Sequence, residues 1–580
     1  MKGFYMKSIR QQTENFAYGI FEKFSQLVYA GGEETEFQGI KVLKEKQNFV
    51  RGTIVNATAM LYVHYIRTND ERSERTYKAL IYFLEGATAN KCNTWGKLSI
   101  LRAMVALFDA GLLNKIPSEL IEKIIISTDY SDFLDKENIE LIGYPSNYLQ
   151  VALACALFRE KLGFENDGFS EKIAKRFYKL LDTSKDRWMD EAPPYRRYDR
   201  YSFIVSSELS DTFLAANKPF DGFIADNLKL ASEHCLFMAN ARGDGWNYGR
   251  SLSCHGDCAV AEVLSSALAR GLIEEGKKDL AVAYISKILE KTINFWYDKE
   301  RESFNIWWDG RSTNGYRQVE RVMQVNLDMA IHLLSTLRNL TIAGVDAIIP
   351  NESFIPSPKA WTYDKIEFSS DENHVSEAIV LRKDDRLAML PLIGLGHHIA
   401  NSAYMPFPAI CNEIEAAPEA HFPFLIPEYT IASKKYRPCQ YYKAIKVTEN
   451  SGIVKISAVG KLALCEEKFP SESDIEFNTT YIFDRNMISA TFTVNSDYQN
   501  ARMVTGTHTD TTKIEVFGFQ KEKLIFENPK VEDYKNFNIN KLPKEEIYPY
   551  YFMTPHGFIT KAFEYTTAES NVLSYKITLS

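Results

Sequence analysis

The residue types that could transfer a proton are densest in residues 190–203, where charges, two prolines and three tyrosines precede an apolar run. The prolines end whatever precedes them, and the apolar residues that follow recur at helical intervals. Three-residue spacing would place Tyr198 and Tyr201 at neighbouring positions of one helix face, with Arg197 and Arg200 beside them. A guanidinium near a phenol lowers the pKa of the phenol, so a tyrosine here could accept a proton near neutral pH. A helix start capped by solvated arginines is the alternative.

A second polar segment, residues 244–258, holds aromatic, basic and imidazole side chains between glycines. We expect a loop there that leads into a helix beginning near Cys258, because binding residues often lie on such loops. An arginine in this loop could bind a carboxylate through two nitrogens. The expected ligand contacts are Trp246, Asn247, Tyr248, Arg250 and His255. The close cysteine, histidine and aspartate residues at 254–258 lack the separated second pair of a structural zinc site, so we expect no metal.

A third segment, residues 305–321, contains Trp307, Arg311 and Arg317, which would suit the subsites of an extended ligand. Trp307 and Trp308 would point to opposite sides of an extended chain, so only one of them would face a ligand. A solvated loop is the alternative for this segment.

A histidine pair, His397 and His398, interrupts an apolar run at residues 390–395. On a strand, one of the two side chains points inward. A ligand contact and a structural histidine are both compatible with this position.

The composition is that of an ordinary globular protein of 580 residues, which is too long for a single core. The net charge of −8 and the pI near 5.8 argue against a nucleic-acid partner. Aromatic residues make up 13% of the chain, and exposed aromatic rings commonly stack on carbohydrates, although most rings must lie in the core.

Targeting signals are not visible in the sequence. The first residues contain no apolar run of the length of a secretory signal, and no segment approaches the roughly 18 apolar residues of a membrane span. The eight cysteines are scattered in apolar sequence, which suits reduced thiols. We therefore expect a cytoplasmic protein with no membrane partner.

The chain changes character near residue 348. Before it, apolar residues at three- and four-residue spacing predict antiparallel helix pairs with no strands between them. The predicted helices are Thr53–Arg67, Arg75–Leu84, Lys97–Ala110, Asn147–Leu162, Ser170–Leu181, Phe203–Ala216, Ile224–Ala239, Cys258–Leu272, Asp279–Phe295 and Val322–Leu340. After it, β-rich runs predict an antiparallel sandwich. The predicted strands are Ala378–Leu381, Gly452–Val459, Ile475–Phe483, Met487–Val494, Lys513–Val516 and Val572–Leu579. The expected domains are residues 1–347 and 348–580.

Three short motifs resemble the heparinase II/III-like and oligoalginate lyase group of polysaccharide lyases. Residues 143–150 (Gly-Tyr-Pro-Ser-Asn-Tyr-Leu-Gln) resemble the motif that carries the carboxylate-binding Asn, here Asn147. Residues 190–198 resemble the Glu-x-Pro-x-Tyr-x-x-Tyr run with the catalytic Tyr, here Tyr198, or Tyr201 one turn later. Residues 394–402 resemble the Gly-His-x-Asp-Ala-x-Ser stretch, which makes His398 the site histidine. Residues 245–252 are similar to a less characterised family with the same toroid.

The resemblance implies an (α/α) toroid followed by an antiparallel β-sandwich, with the cleft between them. It departs from the group at Tyr148, where a His is frequent, and at Ile399 and Ala400, where an Asp often joins a zinc site. These departures argue against zinc.

The chemistry implied by the resemblance is β-elimination of a uronate-containing glycan. A neutralising group, such as Asn147, His255 or an arginine, must offset the uronate carboxylate. A tyrosine or histidine must remove the C5 proton, and an acid must protonate the leaving oxygen. An ordinary N-cap is the alternative for Asn147.

Two other functions stay open at this point. A glycoside hydrolase on a similar toroid would need two carboxyl groups roughly 5–10 Å apart. Its candidates are Asp190, Glu191, Asp199, Asp244 and Asp257. A non-catalytic glycan-binding protein would be favoured if the tyrosines proved to be buried.

Overall fold

The computed structural model describes residues 2–44, 48–166, 168–191, 193, 196–220, 222–249, 251–312, 319–345, 350–371, 373–393, 407–415, 424–465, 470–527, 552–568 and 570–579. Within these ranges a helical domain is followed by a β domain. The last helix ends at Ile342, and the first strand of the large β domain begins at Thr362. The expected boundary at 347/348 falls in residues 346–349, outside the described ranges.

The described part of the helical domain contains twelve α-helices. They are α1 (Lys2–Gly31), α2 (Val50–Arg67), α3 (Ser73–Ala89), α4 (Thr94–Asp109), α5 (Ser118–Ser127), α6 (Tyr148–Lys161), α7 (Phe169–Leu181), α8 (Arg200–Ala215), α9 (Gly222–Phe237), α10 (Cys254–Ala269), α11 (Lys278–Lys291) and α12 (Val322–Ile342). Each predicted helix overlaps one of these, and α1 and α5 are additional.

Three small antiparallel hairpins lie between the helices, which corrects the expectation of a helical region without strands. They pair β1 (Glu36–Phe37) with β2 (Ile40–Lys41), β3 (Leu134–Asp135) with β4 (Glu140–Leu141), and β5 (Tyr297–Asp298) with β6 (Ser303–Phe304). Strands of two residues are too short to show an apolar period, so pattern reading passes over them.

The even-numbered helices form a closed inner ring. Contacts run from α2 to α4, α6, α8, α10 and α12, and α12 returns to α2. An outer helix runs back between successive members, and α1 packs on α12 and α2. The inner helices are therefore parallel to one another, and all of them begin at the same end of the ring. The expected (α/α) toroid is confirmed.

Inner and outer helices differ in how many faces they bury. In α7, an outer helix, Phe169, Ile173, Phe177 and Leu181 are buried at four-residue intervals. In α10, an inner helix, every residue from Cys254 to Leu268 is buried. A helix that packs on one side shows a strong apolar period, whereas a helix surrounded by others carries apolar or small residues all round.

The described part of the β domain contains two large antiparallel sheets and one small hairpin. The four-stranded sheet has the order β10 (Ala409–Ile410), β9 (Arg386–Leu392), β8 (Val375–Lys383) and β7 (Thr362–Ser370). The eleven-stranded sheet contains β11 (Glu428–Ile431), β12 (Lys434–Arg437), β13 (Tyr442–Asn450), β14 (Ile453–Leu464), β15 (Ser471–Asp484), β16 (Met487–Val494), β17 (Asn500–Thr507), β18 (Lys513–Phe517), β19 (Phe519–Glu527), β22 (Lys561–Ala568) and β23 (Val572–Thr578). A separate hairpin pairs β20 (Met553–Thr554) with β21 (Gly557–Phe558). Each predicted strand overlaps one of these.

The four-stranded sheet is a middle layer between the toroid and the larger sheet. Ile366, Phe368 and Val380 belong to a core shared with the helices, whereas Ile379 and Leu381 belong to a core shared with the larger sheet. Successive residues of a strand point to opposite faces, so a strand covered on both faces reads as a continuous apolar run. The sandwich is confirmed, and its first sheet is the surface on which the toroid rests.

Contacts across this junction are specific. His234 Nδ1 lies 2.6 Å from an Asp364 carboxylate oxygen, and Arg382 donates to the Phe237 carbonyl at 3.1 Å. All eight cysteines are free thiols. Among the described helices, none combines the length and apolarity that crossing a membrane requires.

Candidate functional site

The candidate site lies where the inner helices begin. Asn147 precedes α6, Tyr201 is the second residue of α8, and His255 is the second residue of α10. Unpaired backbone N–H groups and the helix dipole make a helix N-terminus attractive to anions. The loops that lead into α8 and α10 also contact the β domain, so this end of the toroid faces the sandwich. An acidic ligand is electrostatically suited to the mouth formed there.

Buried carboxylates shape the segment that leads into α8. Asp190 accepts the backbone N–H groups of Arg196 and Arg197 at 3.0 Å each. Glu191 pairs with Arg197 Nε at 3.4 Å, and its backbone carbonyl accepts the N–H of Ser146, next to Asn147. These bonds fold the segment back on itself and tie it to the start of α6.

Asp199 caps α8. Its carboxylate accepts the N–H of Tyr201 at 2.8 Å, and its own N–H donates to Ser202 Oγ at 3.2 Å, which completes a capping box. Burial raises the pKa of Asp199 to about 6, although the charges of Arg197 and Arg200 act in the opposite direction. The cap fixes where the helix begins and therefore where Tyr201 stands.

Tyr198 is part of the core. Its side chain is 5% exposed, its ring stacks on Phe368 at 4.8 Å between centroids, and its hydroxyl lies 2.7 Å from Ser184 Oγ. Burial raises the pKa of Tyr198 to about 12. The structure therefore corrects the preference for Tyr198 as the proton-transfer residue, because its phenol is closed off by Phe368 and Ser184.

Tyr201 is less buried than Tyr198. It is half-buried in the first turn of α8, and its hydroxyl lies 3.5 Å from Ser251 Oγ in the loop before α10. The Arg200 guanidinium lies over its ring, 4.9 Å from the centroid. A guanidinium over the face of an aromatic ring is attracted to it, and this contact helps to hold the Tyr201 ring in place.

Asn147 is buried, with 6% exposure, immediately before α6. Its side chain makes no capping bond, and among the described residues its Oδ1 has no hydrogen-bond partner. Asn147 therefore occupies the N-cap position of α6, as the alternative expected, but its side chain does not cap the helix. A buried amide that the fold leaves unsatisfied has a free-energy cost, which points to a role in binding.

An aromatic cluster stands next to Asn147. The rings of Tyr144 and Tyr148 lie 4.7 Å apart, and Trp95 meets Tyr148 edge-on at 6.4 Å. All three are half-buried. Trp95 is in the first turn of α4, so the cluster belongs to the same mouth. Sequence reasoning missed Trp95 and Tyr144, and it treated Tyr148 only as a departure from a motif.

Trp246 and Tyr248 are core residues, which corrects their expected role as ligand contacts. Their rings lie 4.4 Å apart, and Trp246 also packs 4.6 Å from Phe203. The backbone N–H of Trp246 donates to the Gly256 carbonyl at 3.2 Å. A Cβ on Gly256 would lie 2.2 Å from the Trp246 carbonyl oxygen. This close approach holds the loop against the start of α10.

Asn247 also differs from its predicted role. Its Nδ2 donates to Glu415 Oε1 at 3.2 Å, and its backbone N–H points to Met389 Sδ at 3.4 Å. It therefore joins the toroid to the β domain instead of reaching a ligand. His255 is buried in the first turn of α10, with Nδ1 3.6 Å from Cys254 Sγ. Arg250 lies outside the described residues.

The third predicted segment also lies largely in the core. Trp307 and Trp308 are both buried, with ring centroids 5.6 Å apart, which corrects the expectation that one of them faces a ligand. Arg311 is half-buried, and its guanidinium lies 4.3 Å from the Phe295 ring and 5.5 Å from the Trp296 ring. Arg317, His397 and His398 lie outside the described residues.

A buried acid of the β domain was missed by sequence reasoning. Glu415 is 2% exposed and lies 2.8 Å from His556 Nδ1, 3.4 Å from His508 Nε2 and 3.2 Å from Thr554 Oγ1. Burial alone would raise the pKa of Glu415, but the two histidines hold it well below its usual range. The His556 ring is 5.1 Å from Trp296. These residues are far apart in the chain, so no local motif links them.

The carboxylates proposed for hydrolysis are committed to other bonds. Their side chains lie in residues that are 0 to 5% exposed. Asp244 and Asp257 both pair with Lys291, at 2.7 and 2.8 Å, and Asp257 also accepts the indole N–H of Trp296. Within the described ranges, no group of three or more His, Cys, Asp and Glu side chains is arranged to hold a metal ion.

Comparison with known proteins identifies the architecture. No protein-family model matches the sequence, and no curated protein matches it. A chondroitin AC lyase of Streptomyces coelicolor A3, solved in complex with chondroitin sulphate, is similar at a TM-score of 0.51 and 8% identity, over 99% of this chain and 82% of that chain. The two chains share a fold.

Two other solved structures are similar at lower scores. A heparinase III has a TM-score of 0.47 and 10% identity, over 94% of this chain and 80% of that chain. An unsaturated glucuronyl hydrolase from Bacillus sp. GL1 has a TM-score of 0.39 and 13% identity, over 57% of this chain and 96% of that chain. At such low identity the chemistry has to be argued from the residues of the site itself.

Proposed function

We propose that this protein is a lyase that cleaves uronate-containing polysaccharides or oligosaccharides by β-elimination. The observation that carries the proposal is the pair formed by Tyr201 and Asn147 at one mouth of the toroid. Tyr201 is half-buried beneath the Arg200 guanidinium, and the buried Asn147 side chain makes no hydrogen bond to any described residue, so its amide N–H groups are available to a ligand. The fold is also one that a chondroitin AC lyase uses, which supports an acidic glycan as the substrate.

The uronate carboxylate binds at the helix N-termini. Asn147 donates its amide N–H groups to a carboxylate oxygen, and the N-terminus of α6 adds a favourable potential. Neutralising this carboxylate makes the C5 proton acidic, because the charge that develops when the proton leaves is spread onto the carboxylate oxygens.

Tyr201 transfers the proton. As phenolate, it takes the C5 proton, and the electron pair left on C5 forms the C4–C5 double bond. The C4–O bond breaks, and the glycosidic oxygen takes the proton back from the Tyr201 phenol. One tyrosine serves as base and then as acid when both groups leave from the same face of the sugar. The products are a 4,5-unsaturated uronate and a new sugar end, and no water is consumed.

The aromatic cluster of Trp95, Tyr144 and Tyr148 gives the sugar chain a surface beside Asn147. Aromatic side chains combine a large apolar face with a polar edge, which matches the apolar face and hydroxyl rim of a sugar ring. The cluster therefore positions the chain while Asn147 holds its carboxylate.

Hydrolysis is the less favoured alternative. A hydrolase needs two carboxyl groups that reach the scissile bond, one of them with an open path for water. Asp244 and Asp257 are bound to Lys291, Asp199 caps α8, and Asp190 and Glu191 hold the segment before that helix. Each of these acids already has a structural partner.

The test is incubation with a panel of uronate polymers and oligomers, followed in parallel by ultraviolet absorbance and by reducing-end release. A lyase produces both signals in equal amounts, because each cleavage creates one conjugated double bond. Reducing ends without the absorbance would replace the proposal with hydrolysis. Binding without either signal would leave a glycan-binding protein.

A further inference from the structure

A cavity of about 440 Å³ lies at the opposite end of the toroid, where the inner helices finish. It is lined by the later turns of α2, α4, α8 and α12, with α1 closing one side. The exposed Arg67 and Arg338 lie at its rim, so it opens to solvent. Its volume falls within the range of small-molecule pockets, about 300–1,000 Å³. The residues proposed for β-elimination do not line it.

Most carboxylates around the cavity have partners. Glu262 lies 2.7 Å from His332 Nδ1, and Asp109 lies 2.6 Å from Lys161 Nζ. Asp211 pairs with Arg338 at 3.1 Å and accepts further bonds from Ser335 and Asn339. Glu208 accepts a hydrogen bond from Gln150. These bonds account for four of the five acidic residues that line the cavity, and the fifth is Glu14.

Arg102 is a charged group of the inner wall without such a partner among the described residues. It lies in the middle of α4, is half-buried, and lines the cavity. Its guanidinium makes no ion pair or hydrogen bond with any residue that the structure describes, although its charge acts on the carboxyls of Glu208 and Glu262. Burial and the charge of Glu262 raise the pKa of the Glu208 carboxyl, which favours its neutral, donating form. A guanidinium left unpaired in a cavity is a site for an anion.

The rest of the wall defines the ligand further. Met60, Val63, Val105, Phe158 and Leu337 give apolar surface, while Glu208 and His332 offer groups for hydroxyls. The charged Glu262 carboxylate nearby disfavours a doubly charged ligand such as a phosphate ester. The wall therefore suits a compact molecule with one carboxylate, several hydroxyls and an apolar face.

We propose that this cavity binds a sugar acid of monosaccharide size, with its carboxylate on Arg102 and its hydroxyls toward Glu208 and His332. The site is separate from the mouth that carries Tyr201 and Asn147, and it does not depend on the reaction proposed there. Because guanidinium and carboxylate form a charge-assisted pair, Arg102 supplies most of the discrimination against neutral sugars.

The experiment is isothermal titration of the full chain with D-glucuronate, D-glucose and D-glucose 6-phosphate as probes. Glucuronate is expected to bind, and glucose to bind at least about 10-fold more weakly, because a hydrogen bond to a charged group is lost. In Arg102→Gln the Kd for glucuronate is expected to rise about 10- to 100-fold. No binding of glucuronate, equal binding of glucose, or preference for the phosphate ester would overturn the proposal.

Two further variants locate the binding. Ala106→Phe fills the cavity from α4 without removing a charge and is expected to abolish glucuronate binding, which also covers the case in which Arg102→Gln does not fold. Asn147→Ala alters only the opposite mouth and should leave unchanged the Kd of the cavity site, which is the binding that Ala106→Phe removes. If Asn147→Ala abolished binding while Ala106→Phe did not, the ligand would lie in the mouth and the cavity proposal would be wrong.

Discussion

Buried carboxylates bind Arg197 and backbone N–H groups at the end of the toroid where the inner helices begin. At the end where the helices finish, the carboxylates are also bonded, but Arg102 faces a cavity without a partner among the described residues. Arg197 pairs with Glu191 at the first end, and Asp190 and Asp199 bind backbone N–H groups there. The same residue types therefore do different work at the two ends. At the mouth they fix the positions of Tyr201 and Asn147, and at the cavity they line an open space.

The difference follows from helix polarity. Six inner helices that run parallel bring their positive ends together at the mouth and their negative ends together at the cavity. In the proposed reaction, the backbone itself therefore attracts an acidic substrate to the mouth, and the neutral amide of Asn147 orients it. At the other end an anion has to be held by a guanidinium, because the backbone there disfavours it.

Among the variants that distinguish the mouth from the cavity, Asn147→Ala is expected to have the largest effect on activity. Removing a donor that acts on developing negative charge should lower kcat/KM by about 10²–10³-fold. The free energy of unfolding should stay the same or rise, because the Asn147 Oδ1 has no partner among the described residues. Turnover by ultraviolet absorbance and urea unfolding are the two measurements. Full activity combined with a loss of stability would make Asn147 a structural residue.

A smaller effect, on stability, is expected in Glu415→Gln. This variant weakens the contacts that join Asn247 of the toroid to the histidines of the β domain. At neutral pH the variant should be about 1.5–3 kcal/mol less stable, since a charged hydrogen-bonding group is lost. The folded-state pKa of Glu415 is depressed, so its contribution is present above the unfolded value of about 4.3 and is lost as the pH falls through the folded value.

The measurement for Glu415 is denaturant unfolding of both proteins from pH 7 downward. The two stability curves should converge at low pH. A difference that stayed constant down to the acid limit would show that Glu415 acts through shape and not through charge.

The smallest effect on activity is expected from substitutions at the two ends of α4. Trp95 in its first turn belongs to the aromatic cluster at the mouth, and Phe108 near its last turn is 45% exposed at the opposite end. Trp95→Ala should raise KM about 2- to 10-fold with little change in kcat, as expected for a lost stacking contact. Phe108→Ala is the matched control and should leave both constants unchanged. A fall in kcat with unchanged KM would move Trp95 from binding to the chemical step.

Much of the fold could be predicted from local patterns. The apolar period marks most helices, and it also runs through α1, in which Ala17, Phe21, Phe24 and Val28 are buried. Buried and exposed residues alternate along β14 to β16, which indicates the strands of the larger sheet. The two-residue hairpins are too short to leave a pattern, and strand β9 reads as an unbroken apolar run because both its faces are covered.

The site was less accessible to sequence reasoning because distant residues decide it. The spacing of Tyr198 and Tyr201 does not show which of them could transfer a proton. Tyr198 is covered by Phe368, which lies far along the chain in the β domain. Trp246 and Tyr248 look like ligand contacts because they are aromatic and flanked by glycines, but the glycines serve a close backbone approach at Gly256. The cluster around Glu415 needs residues from three separate stretches. Tertiary contacts of this kind leave no local signal.

The most direct measurement compares Tyr201→Phe with Tyr198→Phe in the ultraviolet assay. Each variant removes one hydroxyl, from tyrosines three positions apart. Tyr201→Phe should lower kcat by about 10²–10⁴-fold while glycan binding persists, because proton transfer is lost. Tyr198→Phe should keep kcat within a few fold and lose some stability through the broken contact with Ser184. Full turnover in Tyr201→Phe, or loss of turnover in Tyr198→Phe alone, would contradict the assignment of Tyr201 as the acid and base.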